Sequence, residues 1–252
     1  MFMTLLKREV FRYIKNPFVT IGTPILSQIL YIIVFGLVLG PRIGSVADHS
    51  YISFMLPGLV MMALITNSFM NPGWSLYMAR HFDWINPILS SPMSSTQIVS
   101  AYIIAGVFRG LLVGSVLIIV ALVLPNVVAV THLPFVLIYL VVVSFLGSSL
   151  GTIVGLWADK FDHIVLAQTF ALFPLVFLGG VFYSLEMIED IYILSTLVKF
   201  NPVTHMINGL RYGMIGVSEL YIPTGLIGLV VLAMVLFMVS VWLFRRGYNL
   251  RV

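Results

Sequence analysis

The sequence predicts an all-α polytopic membrane protein, a fold class favoured by composition, by the length of the apolar runs and by the placement of charge. Of the 252 residues, 60% are hydrophobic and only 9% are charged, whereas soluble domains carry about 25% charged residues. The apolar residues form runs long enough to cross a bilayer, which takes about 20 residues in a helix. Because the runs leave no room for a soluble domain, residues 1–252 are predicted to form one membrane domain.

Six apolar runs supply the predicted transmembrane helices. The fifth run contains Pro174, and we expect a kink there because proline lacks an N–H for the helical hydrogen bond. In chain order, the spans are residues 19–39, 54–78, 98–124, 133–157, 164–183 and 222–244.

The Lys and Arg residues predict the orientation, since cytoplasmic segments of membrane proteins carry an excess of them. With both termini in the cytoplasm, nine of the 13 cations lie in cytoplasmic segments, three lie outside and Arg109 lies within a span. Acidic residues instead gather in the last outer loop, at Glu186, Glu189, Asp190 and Glu219. We therefore expect a multi-pass membrane protein with both termini cytoplasmic.

Residues 1–17 predict an amphipathic helix that lies on the membrane. Cations are spread through the segment, which is atypical of a cleavable signal peptide. At about 100° per residue the cations fall on one side, toward lipid phosphates. The cationic side holds Lys7, Arg8, Arg12 and Lys15, and the apolar side holds Phe2, Met3, Leu6, Val10, Tyr13 and Ile14.

The loop at residues 80–97, between the second and third spans, is framed by Pro87 and Pro92. A short amphipathic helix on the cytoplasmic face would suit docking to a partner, although an ordinary connecting loop fits the spacing equally well. Ser94 or Ser95 can cap the third span, because a hydroxyl oxygen accepts from free N–H groups of the first turn.

Glycines recur every fourth residue in the third and fourth spans. Such stripes let helix backbones approach closely, since lipid gives no hydrophobic drive for helix association. We expect a packing role for Gly106, Gly110, Gly114, Gly147, Gly151 and Gly155.

Arg109 is a charge inside the third span, flanked by two of these glycines. A charge within a bilayer is costly and by default marks a functional position. The alternative is a structural arginine that bonds backbone carbonyls or a carboxylate of another helix.

Residues 179–216 form the longest interval between membrane-length runs, yet they are largely apolar. Asn201 and Pro202 divide them into two pieces too short to span a bilayer. Two short helices entering and leaving one membrane face, between the fifth and sixth spans, would explain the pattern; a partly buried external hairpin is the alternative. Arg211 could then pair with the acidic residues between 186 and 190.

Several chemistries have no support in the sequence. There is no GxxxxGK[ST] motif for nucleotide phosphates and no HExxH metal motif. The five histidines are scattered, so we expect no metal site. No basic patch interleaved with aromatics suggests nucleic-acid binding. The cluster Asp159, Asp162 and His163 is best explained as a solvated turn.

Five segments together resemble the ABC-2 type transport permeases, and the resemblance covers nearly the whole chain. They are LPGLVMMALITNSFMNP in the second span, IIAGVFRGLLVGSVL in the third, DKFDHI before the fifth, LGGVFYSLEMI after it, and NPVTHMINGLRYGMIG before the sixth.

This resemblance implies the transmembrane subunit of an ABC exporter. Such subunits have six spans, an N-terminal interface helix and paired re-entrant helices, and they dimerise. Each docks a separate ATPase that binds ATP and Mg, so this chain itself is expected to be no enzyme and to hold no cofactor. The partners implied are an ABC ATPase, a second permease copy and the lipid bilayer.

Carried over to this sequence, the resemblance assigns three groups of residues. ATPase coupling falls to Arg80, Phe82, Asp83, Trp84 and Ile88 together with Lys7, Arg8 and Arg12. The re-entrant segment comprises residues 184–221. It and the turn before it are assigned an outer gate, whose residues are Gly179, Gly180, Asn201, Pro202 and Arg211. One departure is that the family's paired carboxylates before a proline are replaced by DWINPILSSP, so either Asp83 takes over the contact or the interface differs.

Two other function classes fit the composition. A secondary transporter would need ionisable groups near the midplane and often has inverted halves, but only Arg109 qualifies. An intramembrane lipid-modifying enzyme would need a metal or nucleophile constellation, which the sequence does not offer. An adjacent gene for an ABC ATPase would discriminate these alternatives from a permease subunit.

Overall fold

The computed structural model describes residues 1–123, 127 and 129–250, which are almost entirely helical. A two-residue hairpin, Ser45–Val46 with His49–Ser50, is the only sheet in these ranges. The predicted end of the third span at Leu124 and the cation Arg251 lie outside the described residues. The helices are α1 Phe2–Ile14, α2 Phe18–Ile43, α3 Tyr51–His81, α4 Asn86–Leu89, α5 Ser95–Val123, α6 Leu133–Trp157, α7 Phe161–Phe177, α8 Tyr192–Phe200, α9 Pro202–Ile215 and α10 Ile222–Arg245.

Five of the described helices, α2, α3, α5, α6 and α10, are long and apolar enough to cross a membrane. The predicted fifth span, residues 164–183, differs in the structure. Its helix, α7, ends at Phe177 and has 17 residues, slightly fewer than the roughly 20 that a span requires. The chain then turns at Gly180, whose φ of 79° lies in the left-handed region that glycine adopts without strain. The sixth crossing thus remains a prediction.

Helix α3 forms the centre of the bundle and is buried along nearly its whole length. It packs between α5 and α6, and all six glycines of the two stripes lie along these contacts. A Cβ at Gly151 would collide with the carbonyl oxygen of Phe69, and one at Gly155 would lie 2.8 Å from that of Gly73. The glycines therefore permit backbone contact with α3.

The bundle has two ends. We call the end that carries Met1 and the tail up to Leu250 the terminal face; it also holds residues 82–94 and 158–160. We call the other end the distal face, and it holds the hairpin, residues 178–191 and residues 216–221. Carbonyl oxygens of Leu156, Ala158 and Asn249 converge on Arg80 at the terminal face, which fixes the C-terminal tail against the bundle.

Helices α2 and α7 differ from the rest in winding. Residues 18–22 and 32–39 of α2, and residues 167–172 of α7, are π-helical. Only 17% of the most apolar window of α2 is buried. Helix α2 is therefore, together with α10 at the same buried share, the least packed of the five long helices.

Candidate functional site

Helix α1 forms as predicted, and one of its sides packs against the bundle. Its buried residues are Leu5, Glu9 and Tyr13, which face α5. Met3 and Ile14, expected on the apolar side, are exposed. The contact with the bundle thus has a carboxylate between Leu5 and Tyr13, and the orientation of α1 relative to the membrane stays a prediction.

Glu9 is 2% exposed and joins three elements. One carboxylate oxygen accepts from Arg8 at 2.8 Å, and the other lies 3.3 Å from Arg12. Ser75 of α3 donates to Glu9 and accepts from Arg12. Arg8 also reaches the Tyr102 hydroxyl of α5 at 3.4 Å. The network therefore fastens α1 to both α3 and α5.

Two α1 side chains titrate differently from their free forms because of this packing. Burial lowers the pKa of Arg8, but Glu9 and Tyr102 outweigh it and leave the pKa raised. Burial raises the pKa of Tyr13 to about 12, with a smaller opposing effect from Arg109. Both groups keep their ordinary charge at neutral pH.

Lys7 is not part of this network. It is exposed and lies on the side of α1 opposite Glu9, as the helical spacing requires. The structure thus separates Lys7 from Arg8 and Arg12, although all three were grouped as coupling residues.

Two predicted coupling residues at the terminal face are buried, which corrects the expectation of direct partner contact. Arg80 is 4% exposed and is occupied by the three carbonyls described above. Ile88 is 6% exposed and packs with Ile85 among the apolar side chains beneath the loop. Sequence order alone does not reveal that these side chains point into the bundle.

Phe82, Asp83 and Trp84 form the exposed tip of the same loop, and we call them the tip patch. The Phe82 and Trp84 rings stack at 5.2 Å between centroids, and about half of each side chain is exposed. Asp83 has a φ of 58°, an uncommon left-handed conformation that aspartate tolerates better than most residues. The patch offers a rigid apolar surface with one negative charge.

The base of the loop is firmly held. Ser94 and Gln97 cap α5 reciprocally, with the Ser94 hydroxyl accepting from the Gln97 N–H and the Gln97 side chain accepting from Ser94 at 2.9 Å. The predicted cap by Ser94 is therefore confirmed. Because α4 also packs on the bundle through Ile88, the tip patch is attached to both α3 and α5.

Arg211 organises the distal face. Its guanidinium donates to the Gly180 carbonyl at 2.8 Å and the Phe54 carbonyl at 3.3 Å, and it lies 3.6 Å from the centre of the Phe54 ring. The expected pairing with acidic residues 186–190 is wrong: its carboxylate partner is Glu219, at 3.1 Å. Arg211 therefore ties α9 to the turn after α7 and to the start of α3.

Asn201 and Pro202 end α8 and begin α9, as the sequence predicts. The Asn201 side chain accepts from the Val203 N–H at 2.9 Å and donates to the Leu175 carbonyl of α7 at 2.7 Å. Gly179 packs against Val203, where a Cβ would lie 2.9 Å from a methyl group. The structure thus brings the five predicted gate residues into one region around the end of α7.

Aromatic rings extend this region toward α2. The Phe182 ring lies 4.7 Å from that of Phe35 and 5.9 Å from that of Tyr31. The Tyr51 hydroxyl at the start of α3 donates to the Phe182 carbonyl. The segment after α7, through Phe182, consequently packs between α2 and α3.

Arg109 lies where α1 runs beside α5, close enough to Arg12 and Tyr13 for electrostatic interaction. It forms no ion pair with the residues that the structure describes, and its Nε is buried without a hydrogen-bond partner among them. Among the described residues, Arg109 therefore has no carboxylate partner on another helix, which was one of the two structural roles considered for it.

The described ranges contain no group of three or more His, Asp or Glu residues placed to hold a metal ion. His205 directs Nε2 to the Lys199 carbonyl at 3.0 Å, while His49 lies beside the Ala47 carbonyl. These histidines make local contacts in separate parts of the distal half.

Comparison of the sequence with known proteins identifies the family to which the chain belongs. A family model described as ABC-2 type transporter matches residues 1–215. The chain belongs to the ABC-2 type transporter family. Among its ABC-2 relatives, inner membrane transport permease YadH of Escherichia coli (strain K12) is 37% identical over 252 residues, covering 97% of this chain and 94% of the relative. Nodulation protein J of Rhizobium leguminosarum bv. viciae is 24% identical over 247 residues, covering 95% and 92%.

Sequence reasoning missed three polar residues that organise this ABC-2 protein: Glu9, Asn208 and Glu219. Asn208 accepts from the Glu219 N–H at 2.7 Å and donates to the Leu220 carbonyl at 3.0 Å. Glu9 carried a detectable signal, because Glu9 and Arg12 have the i, i+3 spacing of an ion pair on a helix.

Proposed function

We propose that this chain is the permease subunit of an ABC exporter, working as a homodimer with separate ATPase subunits that bind ATP and Mg. Its terminal face lies in the cytoplasm and the distal face outside the inner membrane. Family membership supports the transporter class, and the excess of Lys and Arg in the segments of the terminal face supports the orientation.

The tip patch is the observation that carries this proposal. Two stacked, half-exposed aromatic rings at the end of a loop are unusual unless a partner covers them, since aromatic anchors are enriched in protein interfaces. The patch sits at the end of α3, the central helix. A partner that pushes on the patch therefore acts directly on the core of the bundle.

Transmission runs through the buried contacts of the terminal face. Ile85 and Ile88 seat the loop on α5, while Glu9 and Ser75 join α1 to α3. When the ATPase subunits close on ATP, α1, α3 and α5 move as one body, and the permease alternates between inward and outward access.

The distal region around Arg211 is the proposed gate. Helices α8 and α9 form the re-entrant pair, and α8 exposes the large apolar side chains of Tyr192, Ile193 and Phe200, which suits a lipid environment. Opening would separate the segment after α7 from α9, and the Arg211 bonds to Gly180 and Glu219 resist that separation.

The cargo class proposed is an amphipathic molecule, drug-like, lipid or glycan. The helices least packed within the bundle, α2 and α10, present apolar side chains such as Leu30, Val34 and Val231, which would suit apolar parts of a solute. The name of the E. coli relative describes it as a transport permease, in keeping with this assignment.

Coupling is tested with Trp84→Asp. This change places a charge in the stacked pair and should abolish stimulation of the ATPase by the permease in proteoliposomes, with insertion of the permease unchanged because Trp84 is exposed. Ser90→Asp adds the same charge to an exposed position of the same loop and should preserve stimulation. Normal stimulation and co-purification by the Trp84→Asp protein would contradict the coupling role of the tip patch.

A further inference from the structure

A cleft of about 560 Å³ opens between α1 and the terminal end of α3. Its polar and aromatic lining includes Arg8, Glu9, Arg12, Lys15, Ser75 and Trp84. The three cations are spaced at i, i+4 and i+7, so they share one flank of α1. The cleft is therefore walled on one side by a row of positive charge.

This positive charge exceeds the negative charge that meets it. Arg8 and Arg12 share the single carboxylate of Glu9. Lys15 is exposed and forms no ion pair within the described ranges. One carboxylate against three cations leaves an excess of two positive charges at the cleft.

Two buried donors beside Arg12 also lack acceptors. Asn71 is 1% exposed; its carbonyl oxygens lie 3.4 Å from Arg12, but its Nδ2 has no hydrogen-bond partner among the described residues. The Nε of Arg109 is unpartnered in the same way. Leaving a buried donor unsatisfied costs free energy, and every group missing a partner here is a donor. These two donors add to the polarity of the region around Arg12, but neither residue lines the cleft.

The rim of the cleft suits a membrane surface. Phe11 and Trp84 also line it, and each is 58% exposed. Aromatic side chains are enriched at the level of lipid headgroups, with cations close by. A ligand with a phosphate among the arginines and chains toward the bilayer would satisfy both parts of the lining.

We propose that the cleft between α1 and α3 binds the phosphate headgroup of an anionic lipid from the adjoining leaflet. The phosphate oxygens accept from Arg12 and Lys15, and the lipid fills the space beside Phe11 and Trp84. The bound headgroup joins α1 to the end of α3 as Glu9 does. This site is distinct from the path of the transported cargo, and it shares Arg8, Arg12 and Trp84 with the proposed coupling surface.

The test uses the purified full-length protein in a neutral detergent, without ATPase, titrated with phosphatidylglycerol, phosphatidylcholine or inorganic phosphate. Bound lipid is counted by native mass spectrometry, and the melting temperature is followed in parallel. Phosphatidylglycerol should bind and raise the melting temperature, whereas phosphatidylcholine and inorganic phosphate should not.

Matched variants locate the binding. Lys15→Gln should weaken phosphatidylglycerol binding about fivefold, since one cation near an anionic headgroup contributes a factor of this order. Lys7→Gln removes the same charge from a position of α1 that does not line the cleft and should bind lipid like the unmodified protein. Both positions are exposed, so both variants should fold.

Three results would overturn the proposal. They are equal binding of phosphatidylglycerol and phosphatidylcholine, an equal effect of Lys7→Gln and Lys15→Gln, and stabilisation by inorganic phosphate alone. None of them depends on ATPase stimulation, so failure here is distinguishable from failure of the coupling role.

Discussion

At the scale of single residues, a buried carboxylate decides how the N-terminal helix is held. Glu9 interrupts a segment whose other charged residues are all cations. Paired with Arg8, Arg12 and Ser75 it tolerates burial, because its oxygens keep hydrogen-bond donors in place of water. Its removal would leave two arginines without a counter-charge beside α3.

We predict that Glu9→Gln destabilises the protein by about 2 kcal/mol. Breaking a buried ion pair costs about 3–5 kcal/mol, but Arg8 and Arg12 are partly exposed and water screens the loss. The change should lower the thermal unfolding midpoint in detergent. Glu189→Gln, at an exposed position, is the control, and equal midpoints for the two variants would contradict the role of Glu9.

The same reasoning applies to Arg211, with less screening. Its side chain is 2% exposed and that of Glu219 is 18% exposed, so the guanidinium depends on its partners for compensation. We predict that Glu219→Gln destabilises the protein by about 3 kcal/mol, as measured by thermal unfolding. Glu186→Gln lies in the same distal region and is exposed, so its midpoint should not move. A loss shared by both variants would argue against the specific pair.

At the scale of elements, the glycine stripes set how closely α6 approaches α3. We predict that Gly151→Leu prevents stable packing, since even a Cβ would overlap the Phe69 carbonyl. The expected result is aggregation or early elution in size-exclusion chromatography. Gly228→Leu is the matched control, because nothing lies within 4 Å of its Cβ position. Monodisperse Gly151→Leu protein would show that the contact can relax.

Individual elements also show how far the sequence could predict the fold. Run length and proline placement located the long helices and the break at Asn201, because these depend on local composition. They did not reveal that α7 ends at Phe177, since the apolar run continues past Gly180 into a wedge between α2 and α3. They also did not reveal the buried face of α1, because the contacts that bury it, such as that between Glu9 and Ser75, join residues distant in sequence.

At the scale of the whole molecule, charge placement predicts which face is cytoplasmic, and the absence of cysteine makes a direct test simple. We predict that Ser90→Cys is protected from a membrane-impermeant maleimide in intact cells, while Ser45→Cys is labelled. Both positions are exposed, on the terminal and distal faces respectively. Permeabilised cells serve as the control, where both should react. Labelling of Ser90→Cys in intact cells would reverse the orientation.

The candidate site was predictable only in its outline at this scale. The tip patch and the distal segment could be located from topology and resemblance, since both follow from the order of spans. The sequence did not reveal which side chains face outward. Arg80 was expected at the partner surface, yet it binds the C-terminal tail and the end of α6. Such contacts join residues far apart in sequence, and no local pattern records them.

The π-helical stretches of α2 and α7 allow these two helices to change the register of their backbone hydrogen bonds. A π turn contains one residue more than an α turn. If the π turn moves along the helix by one position, the side chain that it passes rotates by about 100° around the helix axis. Every backbone group stays paired within the helix during the shift, as a hydrocarbon environment requires. We therefore expect the wall carrying Tyr31 and Phe35 to rotate in steps against Phe182, separately from the movement proposed for α1, α3 and α5.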